Sequence, residues 1–377
     1  MSLIAILGYA FTLLGLAGAG YALLAAYFVG RFKRGAGATD ASFPPVTVLK
    51  PLHGAEPGLA EALETFFAQH YRGALQLVFG VQDKSDAARP VVEGLRARHP
   101  DVDVVLVVEE RRHGSNPKVS NLIGMSVAAR HDVLVLSDSD IAVEPDYLDR
   151  IVTALAPEDV GAVTCVYTAS PMAGFTSRLT AMGVNYQFLP NVIAGVKLGL
   201  ATPCFGSTIA IKRAVLNAIG GFAAFADVLA DDYEIGRAVR AQGLRVVIPD
   251  FAVRHACGEA TLAQWFHHEL RWMRTIRTAD PAGHWGSIVT HAIPLTLVGA
   301  ILLGFPVLSL TALAGAAVAR GLLKWQIDRR FATGGPLWLL PLRDVLSFGV
   351  FLMSLFGGSV VWQDERMHVD GDGALTG

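Results

Sequence analysis

Acidic side chains recur in three short clusters, each placed where a carboxylate could do chemistry. Asp83 stands in VQDKSD, Asp138 and Asp140 in SDSDI, and Asp231 and Asp232 in LADDYE. In SDSDI the two carboxylates flank one residue, so a turn leaving a strand lets both reach a single divalent ion. Oxygen donors of this kind suit Mg2+ or Mn2+, which keep waters and bind substrate phosphates. An ion held there would offset the charge on a departing diphosphate. Asp83 could accept hydrogen bonds from a base or ribose, as acids do in nucleotide pockets. Alternatively, Asp83 or Asp86 caps the helix that follows. Asn116 and Lys118, in HGSNPKVSNL, stand at a predicted helix start, where free amides and an ammonium attract anions. One of Asp231 and Asp232 could be a general base that deprotonates an attacking hydroxyl. Acids at a helix start can also simply complement its dipole. A basic-aromatic motif, HELRW, adds His268, Arg271 and Trp272. Arg271 could hold a diphosphate or the base carboxylate through paired hydrogen bonds. Trp272 could stack on an acceptor or sit at a membrane interface, and the whole motif could also be a plain juxtamembrane helix.

These side chains need a scaffold, and the sequence between them supplies one. VTVLK, LQLVFGVQD, VDVVLVV, DVLVLSD and VGAVTCVY read as strands. Residues 57–69, 87–98, 118–130 and 145–155 read as helices between them. Continuous Val/Leu runs alternating with helices predict an α/β fold whose parallel sheet is buried on both faces. Asp83 and Asp138 then fall at the carboxyl ends of strands, where ligands bind in open α/β sheets. The clusters therefore point to one acid-lined crevice and a phosphate-bearing substrate. No G-x-G-x-x-G follows the first strand, so a dinucleotide pocket of that kind is not expected. Gly220 and Gly221 end a helix, and the loop after them leads to Asp231-Asp232 at the start of another. HELRW falls on an amphipathic helix over 262–277.

The composition is 52% hydrophobic and 17% charged, which is apolar for a soluble protein. That excess collects at the two ends of the chain. Residues 3–29 carry no charge and are long enough to cross a bilayer. The run is too long for a cleaved signal peptide, and no basic residue precedes it. Arg31, Lys33 and Arg34 follow it, which puts the N-terminus outside and the globular part in the cytoplasm. Residues 288–323 have room for two short spans turning near Gly304-Phe305-Pro306, and 345–362 is a further apolar run. Arg343 and Asp344 place the first turns of 337–362 in the membrane interface. Residues 171–200 read either as a lipid-touching surface or as a core helix pair.

The expected organisation is an anchor over 1–30, an α/β domain over 44–280, a membrane region over 285–362, and a polar tail, 363–377, without regular structure. A net charge of −2 argues against nucleic-acid binding. Cys165, Cys204 and Cys257 stand in unrelated contexts and read as buried thiols, with no disulfide framework or metal cluster.

Taken in order, these motifs resemble membrane-bound family 2 glycosyltransferases, and most of all the ceramide glucosyltransferase branch, family 21. That branch is read as three aspartate motifs and a (Q/R)xxRW box between membrane segments. The resemblance implies a GT-A domain with N-terminal and C-terminal transmembrane helices in the inner (plasma) membrane, its catalytic part cytoplasmic. It also implies inverting transfer of N-acetylglucosamine or glucose from a UDP-sugar to a membrane-lipid hydroxyl. On this match Asp83 is the first aspartate, on the nucleotide side with Asn116 and Lys118. Asp138 is the second and, with Asp140, holds Mg or Mn. Asp232, beside Asp231, is the third and the base, and Arg271-Trp272 is the RW pair. Two positions depart from the pattern. His268 stands where the box has Gln or Arg, and SDSDI is a full D-x-D, whereas ceramide-type members can lack the second carboxylate. SDSDI, DDY and HELRW are also similar to a bacterial branch in hopanoid biosynthesis that glycosylates bacteriohopanetetrol. That lipid is the leading expected acceptor, and ceramide is the alternative. A processive polysaccharide synthase would prefer Gln in the box and carry more spans. A non-catalytic membrane-anchored protein of this fold would not need all the acids.

Overall fold

The structure is a computed structural model that describes residues 1–32 and 43–357, with the backbone of 359–362, 365–369 and 375–376. The chain opens with α1 (Leu3–Arg31), and then β1 (Val46–Pro51), α2 (Leu59–Phe67), β2 (Leu75–Val81), α3 (Ala88–Arg98), β3 (Asp103–Val108), α4 (Pro117–Ala128) and β4 (Val133–Leu136) alternate. The SDSD turn joins β4 to β5 (Ile141–Ala142), followed by α5 (Tyr147–Leu155), β6 (Val160–Thr164) and β7 (Val166–Pro171). Next come α6 (Gly174–Gly183), a π-helical stretch over Val184–Phe188, and α7 (Leu189–Lys197). β8 (Ile209–Lys212), α8 (Arg213–Ala218), α9 (Asp231–Ala241), β9 (Arg245–Val247) and β10 (Ala252–Cys257) complete the α/β part. The remaining helices are α10 (Leu262–Ala279), α11 (Pro281–Gly286), α12 (Ala292–Leu303), α13 (Val307–Phe331) and α14 (Leu340–Ser354).

The described residues form two units. One is drawn from Arg34–Ala173 and Thr202–Gly258, with the short strand Leu375–Thr376 pairing antiparallel to Glu365–Val369 near the C-terminus. The other is drawn from Met1–Lys33, Gly174–Ala201 and Glu259–Glu365.

The sheet unit is built on a seven-stranded sheet in the order β3-β2-β1-β4-β8-β6-β9. The strands alternate side chains between faces, so Val46, Val48, Val133 and Val135 enter one core and Leu49, Leu134 and Leu136 the other. Helices α2, α3 and α5 cover the first core with Leu63, Phe66, Val92, Leu95, Ile151 and Leu155. Helices α4 and α9 cover the second with Leu122, Met125, Ile235 and Val239. Burial on both faces is why these strands read as unbroken apolar runs, and each such side chain stabilises the fold by about 1.5–3 kcal/mol. β1 pairs parallel with β2 and β4, but β8 runs antiparallel to β4 and β6. The all-parallel expectation is thus corrected to a mixed sheet. The chain reaches Ile209–Lys212 through α6, α7 and the loop over 198–208, and antiparallel neighbours need no parallel crossover. The run VGAVTCVY also splits at Cys165, with β6 in the large sheet and β7 in a small one ordered β5-β10-β7.

In the helical unit α1 packs against α12, α13 and α7. Small residues allow that approach: a Cβ on Gly18 would lie 3.2 Å from Ala292, and one on Gly15 would lie 2.8 Å from the Thr296 amide. Gly304 in the left-handed region and Phe305 at φ 58° make the turn between α12 and α13 where the sequence places it. Among the described residues Leu3–Arg31, Val307–Phe331 and Leu337–Ser354 are each long and apolar enough to cross a membrane. Pro281–Thr290 and Ala292–Leu303 meet that standard only together, bent by 64°. Residues 174–197 form a helix pair packed within this unit against α1, α10 and α14. Arg343 and Asp344 are buried and ion-paired within the helices rather than facing an interface, because each finds an opposite charge on a neighbouring helix. Lys33 and Arg34 lie outside the described residues. In the expected structureless tail, Glu365–Val369 and Leu375–Thr376 have strand backbone, since a tight pairing satisfies amides whatever the polarity of the side chains.

Candidate active site

The SDSD turn is held in place by a buried cation from the central strand. Lys50 on β1 reaches beneath it, and its Nζ donates to the Asp138 carbonyl at 2.5 Å and the Ile141 carbonyl at 3.3 Å. The ammonium lies 4.0 Å from the centre of the Phe66 ring. Burial pulls its pKa down to about 7, against the pull of Asp140 and Asp138.

The Asp138 side chain faces the start of α4. Lys118 Nζ stands 2.7 Å from Asp138 Oδ1 and 3.5 Å from Asp231 Oδ2. Asn116 caps α4, its Oδ1 accepting from the Val119 amide at 3.0 Å. Its Nδ2 donates to the Val228 carbonyl at 2.8 Å and to Asp231 Oδ1 at 3.3 Å. One asparagine therefore joins the α4 start to the α9 start. Burial opposes the Lys118 charge, but Asp138, Asp231 and Asp232 outweigh it and raise its pKa. The ammonium stays charged.

Asp231 and Asp232 open α9. The Asp232 carboxylate accepts from the Gly206 amide at 2.9 Å and from the Tyr233 amide at 2.8 Å. Burial, then the neighbouring Asp231, raises the Asp232 pKa, and burial likewise raises that of Asp231. Gly206 is the pivot of this cluster: a Cβ there would lie 2.6 Å from both Asp138 Oδ2 and Lys118 Nζ. Only a residue without a side chain lets this backbone come so close.

The pairing of β5 with β10 brings in a residue that sequence reasoning missed. The pair aligns Ile141 with His255, so His255 Nε2 lies 2.9 Å from Asp140 Oδ2, and Cys257 Sγ lies 3.3 Å from His255 Nδ1. Burial disfavours an imidazolium at His255, yet Asp140 outweighs it and raises the pKa well above the usual histidine range. Glu56, after β1, reaches Ser139 Oγ at 3.4 Å, and lost solvation followed by Asp140 pushes its carboxyl up to about 7. Lys50, Glu56, Gly206 and His255 carried no local signal except that Lys50 ends an otherwise apolar strand.

Asp83 stands apart from this cluster. It follows β2 at the same carboxyl edge of the sheet, exposed, and its Oδ1 accepts from the Ser85 amide and hydroxyl, both at 2.7 Å. These bonds lower its pKa. Asp86 accepts from the Ala88 amide at 2.8 Å and from the Gly54 amide at 3.0 Å, and among the described residues no side chain caps α3 in the usual way.

HELRW belongs to the helical unit. Thr261 and Gln264 form a reciprocal capping box at the start of α10. His268 Nδ1 bonds the Glu259 carboxylate, and its ring meets Trp272 edge-on at 4.3 Å. Glu269 accepts from Trp265 Nε1 at 3.0 Å and is paired with Arg343 of α14. Arg271 and Trp272 are half-buried on the same helix.

The turn suits a divalent ion by its chemistry. Asp138 and Asp140 offer hard oxygen donors, and the His255 nitrogen converges on Asp140. Lys118 and His255 each bond one of these carboxylates, so an ion bound there would share them with both side chains. Among the described residues no three such side chains form a closed cage. Mg2+ and Mn2+ do not need one, because they retain water and accept phosphate oxygens.

Comparison with known proteins agrees with this geometry. The profile described as glycosyl transferase family 21 matches residues 10–375. Ceramide glucosyltransferase 1 of Caenorhabditis elegans is 28% identical over 236 residues, 62% of this chain and 50% of that protein. Ceramide glucosyltransferase 3 of the same organism is 24% identical over 349 residues, 89% of this chain and 75% of that protein. The chain thus spans half the length of the first of these relatives. The mannosyltransferase PcManGT from Pyrobaculum calidifontis, solved in complex with GDP-Man and Mn2+, shares the fold with a TM-score of 0.54. It is 24% identical, with 94% of this chain and 99% of that one covered. A profile match across nearly the whole chain and a GT-A fold with apolar helices lead to one assignment: the chain belongs to glycosyl transferase family 21.

Proposed function

We propose that this chain transfers a hexosyl group, glucose or N-acetylglucosamine, from a UDP-sugar to the hydroxyl of a membrane lipid. The reading is carried by the surplus of carboxylates around one lysine at the carboxyl edge of the sheet, in a family 21 chain with helices apolar enough to cross a bilayer. The catalytic domain taken from the sequence, 44–280, includes the sheet unit together with segments 174–201 and 259–280. We place it on the cytoplasmic side of the inner membrane.

The transfer is a single inverting displacement. The lipid oxygen forms a bond to the anomeric carbon, the bond from that carbon to the diphosphate breaks, and the hydroxyl proton passes to Asp232. Its raised pKa supports this role, since a carboxylate of higher pKa is a stronger base near neutrality. The Gly206 and Tyr233 amides fix its direction. Lys118, kept charged by its acids, serves with Asn116, Asp231 and Asp83 on the nucleotide side. Asp138 and Asp140, the latter held by His255, would hold Mg2+ or Mn2+, which when bound supplies positive charge to the donor diphosphate. Arg271 and Trp272 take their roles, steadying the leaving group and meeting the acceptor, from the motif match.

The names of the curated relatives support ceramide as acceptor. The complete pair in SDSDI supports the second reading, bacteriohopanetetrol. Lipid extracts from cells with and without the gene, compared by mass spectrometry, test both. Loss of a glucosylceramide or of a glycosylated bacteriohopanetetrol names the acceptor. An unchanged lipid profile, together with no transfer from UDP-glucose or UDP-N-acetylglucosamine by the purified protein with either metal, overturns the proposal. A polymeric product would identify a processive synthase.

A further inference from the structure

The box HxxRW begins with an imidazole where the family carries the amide of Gln or the guanidinium of Arg. Each of those always carries N–H donors, whereas an imidazole has two nitrogens and two neutral tautomers, so its direction must be set by a partner. The structure supplies one. Glu259, 9% exposed, lies just ahead of α10, and its Oε1 takes the bond from His268 Nδ1. Burial alone would raise the Glu259 carboxyl pKa, but the bond from His268 outweighs it and the pKa is lowered.

The acid is itself held in place. The Ala260 and Thr261 amides bond Gln264 at 2.9 and 3.1 Å, and Thr176 of α6 reaches the Ala260 carbonyl at 3.5 Å. On the other side, His268 and Trp272 are four residues apart on one helix face with ring centroids 4.3 Å apart. A Glu259–His268–Trp272 line therefore runs from the residue just ahead of α10 to the tryptophan of the RW pair.

We propose that Glu259 is a positioning residue that fixes the tautomer and direction of His268, and through that ring the Trp272 indole, so that this box works with histidine in its first place. The inference rests on the lipid glycosyltransfer reading above. It makes one demand: Glu259 matters only while residue 268 is histidine.

A double-mutant cycle on the full-length protein in detergent tests that demand. Glu259→Ala is expected to lower kcat/KM about tenfold, a coupling within the usual range for residues in direct contact. Glu259→Gln, which keeps the shape and an acceptor, should lose less. With His268→Gln as the background, Glu259→Ala should cost no more than about twofold. An equal cost in both backgrounds overturns the proposal. A second measurement needs no substrate: in 15N-histidine spectra the Nδ1–H resonance of His268, assigned by its loss in His268→Gln, should disappear in Glu259→Ala. Persistence of that resonance also overturns the proposal. Because the spectrum is read without turnover, a protein that transfers no UDP-sugar would sink the functional reading and leave this test standing. If Glu259→Ala does not fold, Glu259→Met, which keeps the volume without an oxygen acceptor, carries both measurements.

Discussion

The two units handle buried charge in opposite ways. In the helical unit Asp344 and Glu269 each meet one arginine, Arg320 and Arg343. Arg320, 3% exposed, donates to both Asp344 oxygens at 2.8 and 2.7 Å and to the Tyr186 carbonyl at 2.8 Å. Arg343 is likewise saturated by Glu269, Ser347 and the Leu179 carbonyl. In the sheet unit Lys118 faces Asp138 and Asp231, with Asp232 close behind, and two of these acids have raised pKa values. Balanced, saturated pairs hold helices together. An acid surplus costs stability in the free protein and is offset only when cationic or proton-bearing partners arrive, which makes it the mark of a working site.

The largest effect should come from the surplus. Asp232→Asn is expected to lower kcat by about 10²–10⁴-fold while UDP affinity, read by calorimetry, stays within a few-fold. Retained turnover would return Asp232 to a structural role and erase the contrast between the units. The balanced pair should respond in stability instead. Arg320→Ala leaves Asp344 buried and alone and should cost about 3–5 kcal/mol in detergent unfolding, whereas replacing both by Met and Leu should be close to neutral. A double replacement as damaging as the single one would give this pair a role beyond packing.

Gly206→Ala sharpens the picture of the surplus cluster, since the new Cβ pushes on Asp138 and Lys118 together. About 1–3 kcal/mol of overpacking should lower the melting temperature by several degrees, with roughly tenfold weaker UDP binding alongside it. The smallest effect should be at a solvated pair. Lys84 and Glu110, 2.6 Å apart with side chains 71% and 56% exposed, should tolerate Lys84→Ala with no measurable shift in melting temperature.

Legibility followed how far each signal reaches along the chain. The Val/Leu runs, the helix start at Asn116, the glycine turn at Gly304 and the paired acids are local patterns, and each was readable. The antiparallel insertion of β8 was not, because direction in a sheet is set by the path of a loop. His255 was hidden because it lies 115 residues from Asp140 and meets it only through the β5–β10 pairing. Arg343 and Asp344 read as interfacial because their partners, Glu269 and Arg320, are remote in the chain.

The sequence alone determined which acids are present, that they follow strands, that the ends are apolar, and that the motif order resembles family 21. These depend on residue type and short periodicity, which persist without a fold. Tertiary structure alone decided that Lys118 would serve several carboxylates, that Gly206 would leave room for them, and that Glu259 would hold His268. Such contacts are fixed by packing between elements, where a few tenths of an ångström separate a hydrogen bond from a clash.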